Sequence, residues 1–428
     1  MMTSKLEKSE KFETSTLESK DSVIEDQVKL REAPDGGISW LSVIGCFCGL
    51  FATQGYGYSW GVYLDYYNSN VYPGELTNLT WIGSLWFGLT NITGPFYVYL
   101  CGKIGYRWMI GVACILSCFS MMMASLTTAV WQLYITQGVM SGIASSLIWF
   151  PCISAPQQWF SSKRGLAVGL GISGSGLGGL AISKIVGAAI DSVGYRWSLR
   201  ILGFIQLVLM GISFFTVRPL NPLPRDVPFF DLAPFKNKKF WVLCCIHCLG
   251  NFAFYIPSSF VPSYATSLGL PSDISRNLSA VMSGIMVVGK ILNGCLSDYF
   301  GRVNVTFLCS VMTGVICLAV WMTAETAASM WAFAVLFGIF GGGYVSMIAA
   351  VIADCVGIEL IESATGWLYF AWIFGGLFGQ PLSAVIIEQG NLGYKGAIIF
   401  AGVIFLFVGL LAGILRFMKS GPKLFAKV

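Results

Sequence analysis

The 428-residue sequence is 55% hydrophobic and 11% charged, with a mean hydropathy of +0.72, whereas soluble domains carry about 25% charged residues. This composition excludes a soluble globular protein, because such a fold could not hide so much apolar surface. The net charge of +5 does not indicate a nucleic-acid partner, because the lysines and arginines cluster in a few segments between apolar runs.

The amino-terminal segment, residues 1–33, is polar and carries both signs of charge. It lacks the apolar stretch after a basic start that marks a cleavable signal peptide. Low hydrophobicity and mixed charge predict a disordered tail.

Twelve apolar runs follow this tail. Crossing a hydrocarbon core of ~30 Å takes about 20 mostly apolar residues in one helix. The predicted spans are residues 38–63, 79–100, 108–126, 131–153, 166–190, 197–217, 240–264, 278–296, 303–323, 331–353, 364–387 and 397–418. A polar connection at 218–239 separates two groups of six. We therefore predict an all-α membrane protein of twelve transmembrane helices, with one six-helix bundle at 34–217, a second at 240–418 and a short tail at 419–428.

The placement of basic residues predicts the topology. Of the 26 lysines and arginines, 20 lie in the two tails, the central connection and the turns on the same side. The opposite side holds only four, which are Arg196, Arg200, Arg276 and Lys395. The positive-inside rule then predicts that both termini and the central connection are cytosolic, which requires an even number of spans.

An internal repeat supports two similar halves. Gly105-Tyr106-Arg107 matches Gly301-Arg302 at an offset of 196 residues. A second turn, Gly194-Tyr195-Arg196, matches Gly393-Tyr394-Lys395 at an offset of 199. Two turns with nearly one offset predict a parallel repeat of six helices.

One turn of the second half carries a candidate gate. Residues 294–302 read Gly-x-x-x-Asp298-x-x-Gly-Arg302. The glycines let helix ends approach closely, and Asp298 can pair with Arg302 or with the N-terminal dipole of a neighbouring helix. The segment resembles the cytosolic turn of the major facilitator superfamily. The matching turn of the first half has Gly102 where the acid would stand, which predicts a weaker latch there.

Two further segments sharpen the resemblance. Residues 34–40, Pro-Asp-Gly-Gly-Ile-Ser-Trp, and the run from Trp159 through Lys163 and Arg164 to Gly176 are similar to the two signatures of the monocarboxylate transporter family. Residues 57–63 and the pair at 66–67 make the pattern most similar to the fungal branch. The resemblance covers residues 34–418 and implies alternating access, with Lys163 and Arg164 joining Asp298 and Arg302 in the cytosolic gate. Members of the fungal branch carry different metabolites, including riboflavin.

The sequence departs from the animal carriers at charged positions. Their lysine in the first span is matched by Tyr58, and the acid and arginine of their eighth span are matched by Met286 and Lys290. No aspartate or glutamate falls at mid-membrane depth in the predicted spans. A carboxylate proton relay is therefore not predicted.

Lys290 is the strongest candidate for a substrate-binding residue. A charged side chain in a transmembrane helix is costly, and such residues face a cavity or a partner. Lys290 lies eight residues before Asp298, about 12 Å from the helix end. We predict that its ammonium group receives an anionic group of the substrate. The alternative is a structural pairing with a carbonyl group or with Asn293. Lys184 lies nearer the outer face, where its side chain can reach the lipid headgroups.

Polar and aromatic residues inside the spans are further candidates for the substrate cavity. They are Gln54 and Tyr58 in the first span, Asn251 and Tyr255 in the seventh, and Trp367, Tyr369 and Trp372 in the eleventh. A cavity lined by such groups would suit a planar, ring-bearing solute as well as a short acid.

Two motifs that resemble cofactor or metal sites have simpler explanations. Residues 174–179 fit Gly-x-Gly-x-x-Gly, but they follow no strand and lie in a span, where small residues allow close helix packing. Cys245, His247 and Cys248 have no second pair of ligands nearby, so no metal site is predicted. No cofactor is predicted, and no cluster of catalytic side chains indicates an enzyme.

The sequence predicts a secondary transporter that moves a small, anionic organic solute. The alternatives are a non-transporting metabolite sensor of the same fold and a carrier of a vitamin such as riboflavin. Transport could be uniport, or proton coupling could use the carboxylate of the substrate. The expected partners are this solute and membrane lipid, with no obligate protein partner. The plasma membrane is the expected location, with the endoplasmic reticulum and the vacuole as alternatives.

Overall fold

The computed structural model describes residues 31–73, 75–221, 223, 228–389 and 391–421. Most of the predicted amino-terminal tail, most of the carboxyl-terminal tail and part of the central connection lie outside these ranges.

The described residues form twelve continuous helical segments, which we label α1 to α12. The first half consists of α1 (Ser39–Tyr66), α2 (Leu76–Ile92, continued by Gly94–Phe96 and Tyr97–Lys103), α3 (Tyr106–Ala124), α4 (Val130–Trp159), α5 (Arg164–Val193) and α6 (Tyr195–Thr216). The second half consists of α7 (Lys238–Ser267), α8 (Ser272–Phe300), α9 (Arg302–Trp321), α10 (Ala327–Val356), α11 (Ile361–Gln389) and α12 (Tyr394–Ser420). In the described part of the chain, nine helices are long and apolar enough to cross a membrane. The all-helical prediction is confirmed.

Glycines with positive φ mark corresponding boundaries in the two halves. Gly105 and Gly301, with φ of 79° and 96°, precede α3 and α9. Gly194 and Gly393, with φ of 83° and 53°, precede α6 and α12. A side chain disfavours this backbone conformation, so glycine is needed where one helix ends and the next begins at once. The glycines that predicted the repeat are thus the ones that shape its turns.

The buried core continues from one half into the other. Apolar side chains of α1 to α6 pack in one cluster with Tyr369 and Trp372 of α11 and with Ala349 and Ala350 of α10. Packed side chains therefore fill part of the contact between the two halves.

The start of α1 and the end of α12 lie on the same face of the helical bundle. Asp35, just before α1, accepts hydrogen bonds from the backbone N–H groups of Ser161 and Ser162. Arg302 donates to the carbonyl oxygen of Ser161 and to Asp354, which also pairs with Lys419 near the end of α12. We call this surface the terminal face. Its cytosolic orientation stays a prediction.

Candidate functional site

The two halves approach closely where α5 crosses α8. A Cβ atom added to Gly165 would lie 2.6 Å from the carbonyl oxygen of Gly294, and one added to Gly169 would lie 2.5 Å from that of Lys290. Neither contact leaves room for a side chain, because both involve backbone atoms. Glycine at these positions therefore lets the halves meet near the terminal face.

Asp298 joins the halves at the start of α5. Its carboxylate accepts hydrogen bonds from the backbone N–H groups of Gly165 at 2.8 Å and Leu166 at 2.9 Å. It also lies 3.5 Å from the Arg302 guanidinium. An anion at a helix N-terminus satisfies unpaired N–H groups and interacts favourably with the helix dipole. Asp298 thus makes both of the contacts considered for it from the sequence, and its role in a gate stays a prediction.

Asp354 is the centre of a charged cluster beside this contact. Its carboxylate lies 3.1 Å from Arg164 of the first half and 2.8 Å from Arg302 and 3.7 Å from Lys419 of the second. Asp354 lies one residue past the predicted span 331–353, and the sequence offered no reason to assign it a role. The predicted gating residue Lys163 is exposed and is not among the recorded partners of Asp354.

A second cluster joins the halves through Glu362, the second residue of α11. Its side chain is only 3% exposed. It accepts hydrogen bonds from the Tyr106 hydroxyl at 3.0 Å and from the Gln158 amide, both in the first half. The amide oxygen of Gln158 accepts in turn from the backbone N–H of Leu220 at 2.9 Å. Sequence reasoning missed Glu362, because the predicted span begins at residue 364 whereas α11 begins at Ile361.

The two clusters occupy corresponding places in the repeat. Tyr106 and Arg302 are 196 residues apart, as are Gln158 and Asp354, while Arg164 and Glu362 are 198 apart. In the first cluster a cation of the first half meets an acid of the second. In the other cluster an acid of the second half meets neutral donors of the first. The first half has Gly102 in place of an acid, and Glu362 supplies the carboxylate at this side of the terminal face.

Lys290 links the halves deeper in the molecule. Its side chain is 3% exposed, and its ammonium group donates to the hydroxyl of Ser175 in α5 at 2.8 Å. Asn293 is not its partner, since the Asn293 amide donates to the carbonyl oxygens of Gly289 and Ile339. Within the described residues Lys290 makes no ion pair. A buried ammonium group with one neutral partner is incompletely compensated.

The other predicted cavity residues fall into two sets. The structure places Asn251, Tyr255 and Trp372 together: the Asn251 amide donates to the Trp372 carbonyl oxygen at 3.0 Å, and the rings of Tyr255 and Trp372 both contact Phe87 of α2. The partly buried Gln54 and the half-exposed Tyr58 lie on α1.

Trp367 lies apart from this set. Its indole N–H donates at 2.8 Å to the carbonyl oxygen of Asp231, in the central connection. The residue is only six positions from the start of α11, so it lies about 9 Å from the terminal end of that helix. It therefore anchors the connection, and the structure does not group it with Asn251, Tyr255 and Trp372.

An aromatic cluster crosses between the halves beside Asn251. We define it as His247 of α7, Tyr369 and Trp372 of α11, and Trp149 of α4. The His247 ring lies 5.1 Å from both Tyr369 and Trp372, and Trp149 lies 5.5 Å from Tyr369 (centroid distances). The ring nitrogens of His247 and the indole nitrogens of Trp149 and Trp372 are buried without a hydrogen-bond partner among the described residues. The described residues contain no group of three or more His, Cys, Asp or Glu that could hold a metal ion.

Two six-helix halves that meet at one closed face, with polar groups buried midway along the helices, are the architecture of a membrane transporter. The model of the Major Facilitator Superfamily matches residues 42–286 and 272–426. The chain belongs to this superfamily. It is therefore a multi-pass membrane protein and a secondary transporter.

Curated relatives are fungal transporters. The chain is 33% identical over 401 residues to the MFS transporter asaE of Aspergillus flavus, covering 92% of this chain and 90% of the relative. It is 30% identical over 405 residues to the aspyridones efflux protein apdF of Emericella nidulans, covering 92% and 82%. The monocarboxylate resemblance is not confirmed by these comparisons.

Solved structures agree on the fold. The human organic anion transporter MFSD10 superposes with a TM-score of 0.68 at 13% identity, covering 88% of this chain and 98% of that one. The proton:xylose symporter XylE gives a TM-score of 0.69 at 12% identity, covering 90% and 95%. At these identities the likeness concerns the fold alone.

Proposed function

We propose that the protein moves a small organic anion across the membrane by alternating access, with Lys290 binding the anionic group. The observation that carries the proposal is the Lys290–Ser175 contact. These residues lie on opposite halves, so a movement that separates α5 from α8 removes the hydroxyl from the ammonium group. An anionic group of the solute would then replace Ser175 and compensate the charge more fully.

We propose efflux as the direction. Two relatives are named as efflux proteins, for aspyridones and for fujikurins. The monocarboxylate resemblance supports an anionic solute and leaves its size open. A vitamin carrier for riboflavin and a non-transporting sensor are the competing functions.

The site residues have distinct proposed roles. Lys290 binds the anionic group, while Tyr58, Gln54, Asn251, Tyr255 and Trp372 shape the cavity. Asp298, Arg302 and Arg164 close the terminal face. We place the protein in the plasma membrane with the terminal face toward the cytosol, as the distribution of basic residues and an efflux role both favour.

Lys290→Met tests the proposal. Losing a charge-assisted contact worth about 1.5–3 kcal/mol should lower transport about ten- to hundredfold. The measurement is transport of radiolabelled aromatic and short-chain carboxylates by membrane vesicles, at equal protein content. Lys184→Met is the matched control, because Lys184 is an exposed lysine of α5, and it should transport normally.

The outcomes separate the competing functions. Carboxylate transport by Lys290→Met at the wild-type rate would contradict the proposal. Transport of riboflavin that does not depend on Lys290 would favour the vitamin carrier. Binding without transport of any solute in the panel would favour the sensor.

A further inference from the structure

The aromatic cluster lies at the depth of a central binding site. His247 is nine residues from the start of α7 and Trp372 is eleven from the start of α11, which places them about 14 and 16 Å along their helices. Half of a ~30 Å hydrocarbon core is about 15 Å. The cluster therefore lies near the midplane, far from the polar and charged contacts of the terminal face.

The cluster contains hydrogen-bonding groups that the protein itself does not satisfy. His247 is 3% exposed, and neither ring nitrogen has a partner among the described residues. The indole N–H groups of Trp149 and Trp372 are also buried without a hydrogen-bond partner among the described residues. Buried polar groups are nearly always hydrogen-bonded, so several unsatisfied ones in one place require a reason. A ligand that binds there would supply the missing partners.

The arrangement also explains how a ligand would enter. Trp149 belongs to the first half, whereas His247, Tyr369 and Trp372 belong to the second. Opening of the terminal face separates these helices, because the contacts of Asp298, Asp354 and Glu362 that hold this face closed join the same two halves. Withdrawal of Trp149 would uncover the rings of Tyr369 and Trp372 that it contacts, and these are the two rings that contact His247.

We propose that His247, Tyr369 and Trp372 form a subsite for a planar aromatic ring that carries a hydroxyl or carbonyl group. The solute ring replaces the Trp149 ring and packs against Tyr369 and Trp372. A neutral histidine offers one N–H donor and one acceptor, which suits such a substituent. The subsite rests on the proposed function, in which Lys290 binds the anionic end of the solute. The transported solute is accordingly a ring-bearing acid.

Three probes of matched size and charge test this subsite. They are 6-hydroxy-2-naphthoate, 2-naphthoate and decalin-2-carboxylate, which differ in the hydroxyl group and in planarity. Binding is measured by calorimetry on the full chain in lipid nanodiscs. We expect 6-hydroxy-2-naphthoate to bind about tenfold more tightly than 2-naphthoate, and 2-naphthoate about tenfold more tightly than the saturated acid.

His247→Phe keeps an aromatic ring and removes both nitrogens. It should abolish the preference for the hydroxyl group and keep the preference for the planar ring. His247→Gln, which retains a donor and an acceptor, should restore part of the hydroxyl preference. Trp108→Phe, at an exposed tryptophan of α3, is the control and should match the wild type.

Two results would overturn the subsite: equal affinity for the planar and saturated acids, or an unchanged hydroxyl preference in His247→Phe. Failure of the subsite differs from failure of the proposed function. In the first case Lys290→Met still weakens the binding of all three acids. In the second case Lys290→Met changes none of them.

Discussion

At the scale of single residues, glycines that let the backbones approach, as well as charged contacts, hold the two halves together at the terminal face. Gly165 lies within contact distance of Gly294 across the halves, and the same residue donates its N–H to Asp298. The Asp298 hydrogen bonds and the glycine contact therefore depend on each other. A side chain at this position would separate the backbones and lengthen both hydrogen bonds of Asp298.

Gly165→Ala should open the terminal face. Alanine in a helix is normally stabilising by up to about 1 kcal/mol relative to glycine, so any destabilisation must come from the contact across the halves. Pulsed EPR between spin labels at Lys163 and Tyr299, two exposed positions on opposite halves, should show a new population at longer distance. The native cysteines are replaced by serine for this measurement.

Gly187→Ala provides the control for this prediction. Gly187 lies in the same helix, α5, and a Cβ there would meet nothing within 4 Å. Its distance distribution should equal that of the parent chain. An unchanged distribution in Gly165→Ala would show that the glycine contact does not hold the face closed.

At the scale of helices, the ends of α5 and α11 play corresponding parts with opposite chemistry. Arg164 begins α5 and meets an acid, whereas Glu362, the second residue of α11, meets a hydroxyl and an amide. The positive charge of the first contact is matched by a full negative charge. Among the described residues Glu362 meets no cation and accepts hydrogen bonds from neutral donors only, which are weaker than contacts between two charged groups.

Glu362→Ala should remove the second contact. The Tyr106 hydroxyl and the Gln158 amide both donate to the same oxygen, Oε1 of Glu362, so each of these buried donors loses its acceptor at a cost of about 1–3 kcal/mol. We expect slower transport and more of the open population in the EPR measurement described for Gly165→Ala. Tyr106→Phe should have a smaller effect in the same direction.

The combination of these two variants gives the sharper test. Because both remove the same hydrogen bond, their effects should add to less than the sum of the single changes. Glu359→Ala, at an exposed residue just before α11, is the control and should behave as the wild type. Strict additivity would show that Tyr106 and Glu362 do not act together.

The helices could be predicted from the sequence, but most contacts between them could not. Runs of apolar residues and paired glycines located the twelve segments, and one motif located Asp298 and Arg302. The partners of Lys290 and Glu362 lie 115 and 256 residues away in the chain, and a local pattern carries no information on such pairs. The internal repeat contained a usable signal, because the offset of 196 relates Gln158 to Asp354.

Trp367 and His247 illustrate the same limit from two sides. An aromatic residue inside a predicted span suggested the cavity for Trp367, yet the early start of α11 places it beside the central connection. His247 was judged only as a metal ligand, because sequence spacing reveals possible ligand pairs. Its importance comes from burial and unsatisfied nitrogens, which appear only when α7 packs against α11.

At the scale of the whole molecule, the structure represents one end of a transport cycle. The contacts between the halves described above extend from Asp298 and Glu362 at the terminal face to Phe87 and Trp372 near the midplane. Tyr58 lies nineteen residues from the start of α1, about 28 Å along the helix, and its side chain is half exposed. In alternating access, opening at one face accompanies closure at the other.

Tyr58 should therefore report on the opposite face. A cysteine at this position, in a chain whose native cysteines are serine, should react with a membrane-impermeant maleimide added from the side opposite the terminal face. Adding Gly165→Ala should slow this reaction, because molecules that open at the terminal face close around residue 58. The rate is measured in right-side-out and inside-out vesicles. Adding Gly187→Ala should leave the rate unchanged, and labelling that is equally fast in both vesicle orientations would contradict the alternating movement of the halves.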